Sequence, residues 1–113
     1  MKEIKAVIQP ARLARLREAF RKLPDFPGMT VSRAEGSGYH PQKPQGAGIN
    51  AGIKSELTDY SAKMRVEILA PDEMVPALLA LIRTACHTGQ PGDGVVWVSD
   101  IAHFERLRES PGS

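Results

Sequence analysis

The sequence predicts an α+β domain in which two β-α-β halves build one sheet with both helices on a single face. Three observations carry this expectation. Apolar residues alternate at period two in short runs around positions 4 and 66, they switch to helical spacing after each run, and the order repeats once across a glycine-rich interval. A chain of 113 residues fits one core and is too short for two.

The first element covers Lys2–Gln9, where Ile4, Ala6 and Ile8 share one face as in a half-buried strand, and Pro10 stops it. From Ala11 to Leu23 the period changes. Leu13, Leu16, Phe20 and Leu23 form a core stripe, while Arg12, Arg15, Arg17, Arg21 and Lys22 form a solvated face. Pro24 closes this helix. After a turn at Pro27-Gly28, Met29, Val31 and Arg33 alternate with Thr30, Ser32 and Ala34 in a second extended segment that ends near Glu35.

From Gly36 to Tyr60 no period is sustained, and five glycines and two prolines mark a long loop. Loops of that length in compact domains are usually functional. The cleanest strand follows, with Met64, Val66 and Ile68 alternating against Lys63, Arg65 and Glu67 until Pro71. Asp72 stands where an N-cap would, and Glu73 suits the positive end of a helix dipole. Val75, Leu78, Leu79, Ile82 and Cys86 then face inward, with Pro76 tolerable only in the first turn. The turn-rich Thr88–Gly94 leads to Val95–Val98, read as a buried strand containing Trp97. The sum is a ferredoxin-like βαββαβ sandwich. Its second sheet face, with Val7, Val31 and alternate positions of the third strand, has no helix to cover it and is expected to be apolar and buried in an oligomer.

Composition excludes several classes of function. Fifteen basic residues against 13 acidic ones, without a basic stripe, give no reason to expect nucleic acid. The longest apolar stretch, Val75 to Ile82, falls far short of the roughly 20 residues of a membrane span. A single cysteine cannot make an intrachain disulfide, and with no apolar signal-peptide region the expected location is cytoplasmic. His40, His87 and His103 lack metal-ligand spacing and read as surface or interface residues, although His40 in the loop leaves a metal role open. Cys86 and His87, as helical neighbours about 100° apart, do not form a nucleophile pair, and Cys86 reads as core. No catalytic constellation appears, so no enzyme is expected.

Six segments carry a resemblance. They are Met1-Lys-Glu-Ile-Lys-Ala-Val-Ile-Gln-Pro10, Gly28-Met-Thr-Val31, Gly36-Ser-Gly38, Lys63-Met-Arg-Val-Glu-Ile68 with Pro71-Asp72, Arg83-Thr-Ala-Cys-His-Thr-Gly-Gln-Pro-Gly-Asp-Gly94, and Arg106-Leu-Arg108. In order and spacing they resemble the PII signal-transduction family, and in detail a divergent PII-like branch of the kind found beside metal-efflux or inorganic-carbon transport genes. The resemblance implies a single domain over 1–113 that forms a homotrimer, with a T-loop at about 37–61, a B-loop at about 87–95 and a C-terminal segment at about 99–113. It also implies an adenine nucleotide (ADP, AMP or ATP) in each cleft between subunits, and no prosthetic group. A target protein such as a membrane transporter would be contacted through the T-loop, without insertion into the membrane.

The nucleotide-binding positions that the resemblance carries over are Ile8, Thr30, Gly36, Ser37, Gly38, Lys63, Met64, Leu69, Gly92, Asp93, Gly94, Arg106 and Arg108. Glycines 92 and 94 would let backbone N–H groups approach phosphate. Arg106 and Arg108, as alternate residues of an extended segment, would supply permanently charged forks, and Lys63 a point charge. The backbone near Leu69 and the Thr30 hydroxyl would read adenine, with Ile8 against the ring. Taken alone, Gly92–Gly94 is more often a tight turn before a strand, and two such arginines are more often a solvated surface pair.

The sequence also departs from the family. Val95 stands where the family has lysine after Gly-Asp-Gly, and Ser37-Gly38-Tyr39-His40 replaces Phe-Gly-Arg-Gln. The surroundings of Tyr60 do not match the family's modified loop tyrosine. The standard 2-oxoglutarate response is therefore not expected. ADP or AMP is expected to compete well with ATP, and a second effector such as bicarbonate becomes an open option. Two other readings remain at this level. One is a metal-responsive trimer of the divalent-cation-tolerance type without nucleotide, which would lack Gly-Asp-Gly and Arg-x-Arg. The other is an acyl- or phosphate-handling enzyme on the same fold.

Overall fold

The computed structural model describes residues 1–37 and 60–109. Strand β1 (Lys2–Ile8) runs into a 3-10 turn (Pro10–Arg12) and helix α1 (Leu13–Arg21), then β2 (Thr30–Ser37). Strand β3 (Tyr60–Ala70) is followed by a second 3-10 turn (Asp72–Met74), helix α2 (Val75–Cys86) and β4 (Gly94–Asp100). All pairings are antiparallel and the strand order is β2-β3-β1-β4. This is the ferredoxin-like α+β fold that the repeat implies.

Period-two patterning places the core. Ile4, Ala6 and Ile8 of β1 lie opposite Ile68, Val66 and Met64 of β3, and the central strands bury this face under both helices. Leu16 and Phe20 come from α1, and Leu78, Ile82, Ala85 and Cys86 from α2. Phe20 stacks on Phe26 with ring centroids 4.5 Å apart, fixing the chain as it leaves α1. Pro76 sits in the first turn of α2, where its missing N–H is no loss. Asp72 does not cap that helix. It lies in the preceding 3-10 turn, makes no capping hydrogen bond, and turns its carboxylate to the Met1 amine at 2.6 Å.

Two expectations about the sheet are corrected. Val31 pairs with Val66 and packs on the core, so it belongs to the helix face. The open face instead presents Lys63, Arg65, Glu67 and Leu69 from β3, with Lys5 opposite Glu67 and 3.9 Å from Glu3. Its centre is charged, and it is apolar mainly toward β4, at Val7, Val95 and Trp97. Strand β4 is also not buried, because it is outermost in the sheet order: Val95 is 60% and Trp97 45% exposed. Short apolar runs look alike whether a strand ends in the centre or at the edge.

At the start of β4 the sheet leaves no room for a side chain. Gly94 has φ +110°, and a Cβ there would stand 1.9 Å from the Val7 carbonyl oxygen. Gly94→Ala is expected to lower unfolding free energy by on the order of 4 kcal/mol, since it combines backbone strain with a clash against main chain. Urea denaturation of both proteins checks this. A loss below about 1 kcal/mol would mean that β1 and β4 do not approach so closely.

Candidate functional site

The expected site residues fall into two groups at opposite ends of β3. At its first end, Lys63 lies opposite Ala34, and its stem crosses Gly36, where a Cβ would come within 3.1 Å of the lysine Cγ. The Lys63 Nζ donates to the Gly92 carbonyl at 2.8 Å. Gln9, which leaves β1 just before Pro10, donates from Nε2 to the same carbonyl at 3.1 Å. Gly92 itself has φ +94°, a conformation that side chains resist. Ser37 is exposed at the end of β2. Gly38 and His40 lie outside the described residues.

Asp93 organises this loop from within. Its carboxylate accepts from the Thr88 N–H at 2.7 Å, from the Thr88 hydroxyl, and from the Gly89 N–H at 2.9 Å, while Gln90 N–H donates to the Thr88 hydroxyl oxygen at 3.2 Å. The Thr88 hydroxyl and then the two backbone donors hold the carboxyl below the usual aspartate range, and His87, with Nδ1 3.8 Å away, adds to this. Thus the geometry gives Asp93 a loop-shaping role, and Lys63 is a cation held against this loop through the Gly92 carbonyl.

At the other end of β3 a cleft of about 400 Å³ is lined by Glu3, Gly28, Met29, Thr30, Glu67, Leu69, Phe104 and Arg106. Register explains the grouping: Thr30 lies opposite Glu67, and Glu3 opposite Leu69. The Arg106 guanidinium stands 5.4 Å from the Phe104 ring centroid, a cation–π contact. Arg106 and Arg108 do not alternate along a strand, as was expected. The chain turns there, with Glu109 N–H donating to the Arg106 carbonyl at 3.0 Å, and Arg108 stays exposed, 3.7 Å from Glu109. Arg106 alone lines the cleft.

Two more expected residues lie elsewhere. Ile8 is only 2% exposed, though it lines a smaller hollow with Asp93, Gly94 and Val95, and Met64 is half-buried against the core. Lys63 and Leu69 are six residues apart on one strand, roughly 20 Å at the usual rise. The two groups therefore do not meet within a single chain. Gln9, Glu3, Glu67 and Phe104 were not anticipated. Alternation could have put the two glutamates on the open face, but their grouping with Thr30 depends on a pairing register that one sequence does not disclose. Among the described residues no three metal-ligating groups cluster, and no helix is long and apolar enough to cross a membrane.

A family model described as nitrogen regulatory protein P-II matches residues 1–111. Curated relatives agree with it. The chain is 33% identical over 111 residues to nitrogen regulatory protein P-II of Rhizobium meliloti and to nitrogen regulatory protein P-II 1 of Escherichia coli K12, covering 96% of this chain and 92% of each relative.

The Asp93 contacts have a consequence in acid. A carboxyl whose folded pKa is depressed contributes stability that is present above its unfolded value and is lost as pH falls through the folded one. The Thr88–Asp93 loop is thus expected to loosen below about pH 4. In an NMR titration the Thr88 and Gly89 amides should report a midpoint below that of an ordinary aspartate, and Asp93→Asn should abolish it. A midpoint at or above the ordinary value would remove Asp93 from this role.

Proposed function

The chain belongs to the nitrogen regulatory protein P-II family, and from that premise we propose that it is a regulator which binds adenine nucleotide between copies of itself. The observation that carries this reading is the split site. One end of β3 gathers Lys63 and a glycine-bearing loop suited to phosphate, and the other gathers Thr30, Leu69, Phe104 and Arg106 around a cleft of nucleoside dimensions. Roughly 20 Å of strand separates them, so a second copy must bring one end against the other. The apolar side of the open face, with Val7, Val95 and Trp97, offers a place for copies to meet, in a trimer by the family's pattern.

Nucleotide at this site would act on the segment between β2 and β3. Gly36 and Lys63 touch each other at the base of that segment, so a ligand that draws on Lys63 alters both its anchors. Differential affinity between two arrangements of the segment would then control a partner protein such as a transporter. In this reading the protein is a cytoplasmic regulator and not an enzyme. A second effector such as bicarbonate fits the altered loop opening. Val95 supplies no charge after Gly94, so ADP and AMP compete well with ATP. The divalent-cation-tolerance alternative is not carried further, because the family match lies elsewhere.

Calorimetric titration with ATP, ADP and AMP, alongside sedimentation, tests the reading. A trimer that binds ADP within about tenfold of ATP is expected, and a strong ATP preference would remove the role given to Val95. Arg106→Ala should weaken ADP by roughly tenfold or more, the scale of one charge-assisted hydrogen bond, and Arg108→Ala by less. Unchanged affinity in the double variant would overturn the site assignment.

A further inference from the structure

One carbonyl in the loop carries two donors from neighbouring strands. Gln9 follows Ile8, which pairs with Met64, so Gln9 and Lys63 emerge side by side and converge on the Gly92 oxygen at 3.1 and 2.8 Å. A carbonyl oxygen has two lone pairs and can accept both. The donors differ in kind: the amide is neutral, whereas the ammonium is a mobile point charge on a flexible stem. All three residues are half-buried, so a Gly92 carbonyl left without a donor would be poorly compensated by water.

We propose that Gln9 is the positioning residue of this anion site: it keeps the Gly92 carbonyl when Lys63 leaves it for a phosphate. Lys63 then changes partner without abandoning a half-buried acceptor, and the loop holds its shape as the anion arrives. Gln9 touches no ligand and acts through Lys63. Its amide orientation follows from the acceptor, since only Nε2 can donate to a carbonyl. This rests on the nucleotide reading, and deepens it by assigning to Gln9 a role that composition and motif leave unmarked.

The test is a double-mutant cycle read by calorimetry, with ADP and adenosine as ligands and wild type, Gln9→Leu, Lys63→Met and the double variant as proteins. Gln9→Leu should bind ADP about fivefold more weakly, the effect of one neutral hydrogen bond, and adenosine as wild type does. Lys63→Met should lose more. The double variant should be no weaker than Lys63→Met alone, because without the lysine no exchange of partners occurs. Additive losses, an unchanged ADP affinity in Gln9→Leu, or an equal loss for adenosine would each overturn the inference while the nucleotide reading stands. Failure of the wild type to bind ADP would overturn that reading, and the inference with it.

Discussion

The pairing of β1 with β4 at Gly94 is the constraint on which the rest of the site depends. Val7 and Gly94 approach so closely that a single methyl is excluded, and this contact fixes where the loop from Thr88 to Asp93 meets the end of β1. Because β1 also pairs with β3, the same register brings Gln9 and Lys63 under Gly92. Glycine at 94 is therefore explained by the backbone before any ligand is considered. Gly92 differs: a Cβ there would meet ordinary van der Waals contacts, 3.7 Å from Gln9 Nε2 and 3.8 Å from Lys63 Nζ, so its positive φ and not crowding calls for glycine.

The parts of this fold that were legible in the sequence are those set by local periodicity. Ile4, Ala6 and Ile8, then Val66 and Ile68, are buried as their alternation requires, and Leu16 and Phe20 fill the stripe of α1. Properties that depend on which strand pairs with which were not legible. Trp97 looks like a core residue in an apolar run, yet it lies on an edge strand opposite Lys5. Val31 sits one register away from the face that simple counting assigned to it, because strand phase is set by the partner and not by the starting residue. Arg106 and Arg108 resembled a strand pair, but the chain turns between them, and a sequence of two alternating arginines does not encode that turn.

Candidate residues gathered at the two ends of one strand suit a domain this small. A four-stranded sheet with helices on one side has no deep cavity of its own, since its core is filled by close-packed side chains. Concavity has to come from the sheet's open face and the segments that border it, as in the cleft beside Leu69 and Phe104. The charges are distributed over both ends. Glu3 and Glu67 line the cleft together with Arg106, so carboxylate acceptors and a guanidinium donor meet there, whereas Lys63 stands at the loop end.

Val95 bears on the charge at the loop end. It lies on the open face opposite Val7, largely exposed, where the resemblance would place a lysine. An apolar residue there removes one cation from the neighbourhood of the loop and adds exposed surface that gains by being covered. Lys63 then becomes the lysine that the loop itself holds, and under the proposed reading its hydrogen bond to Gly92 is the interaction an incoming phosphate would replace. On that reading the strength of anion binding depends less on how many charges surround the loop than on how readily Lys63 can let go of a carbonyl. Gln9, already donating to that same oxygen, is the group that makes the release cheap.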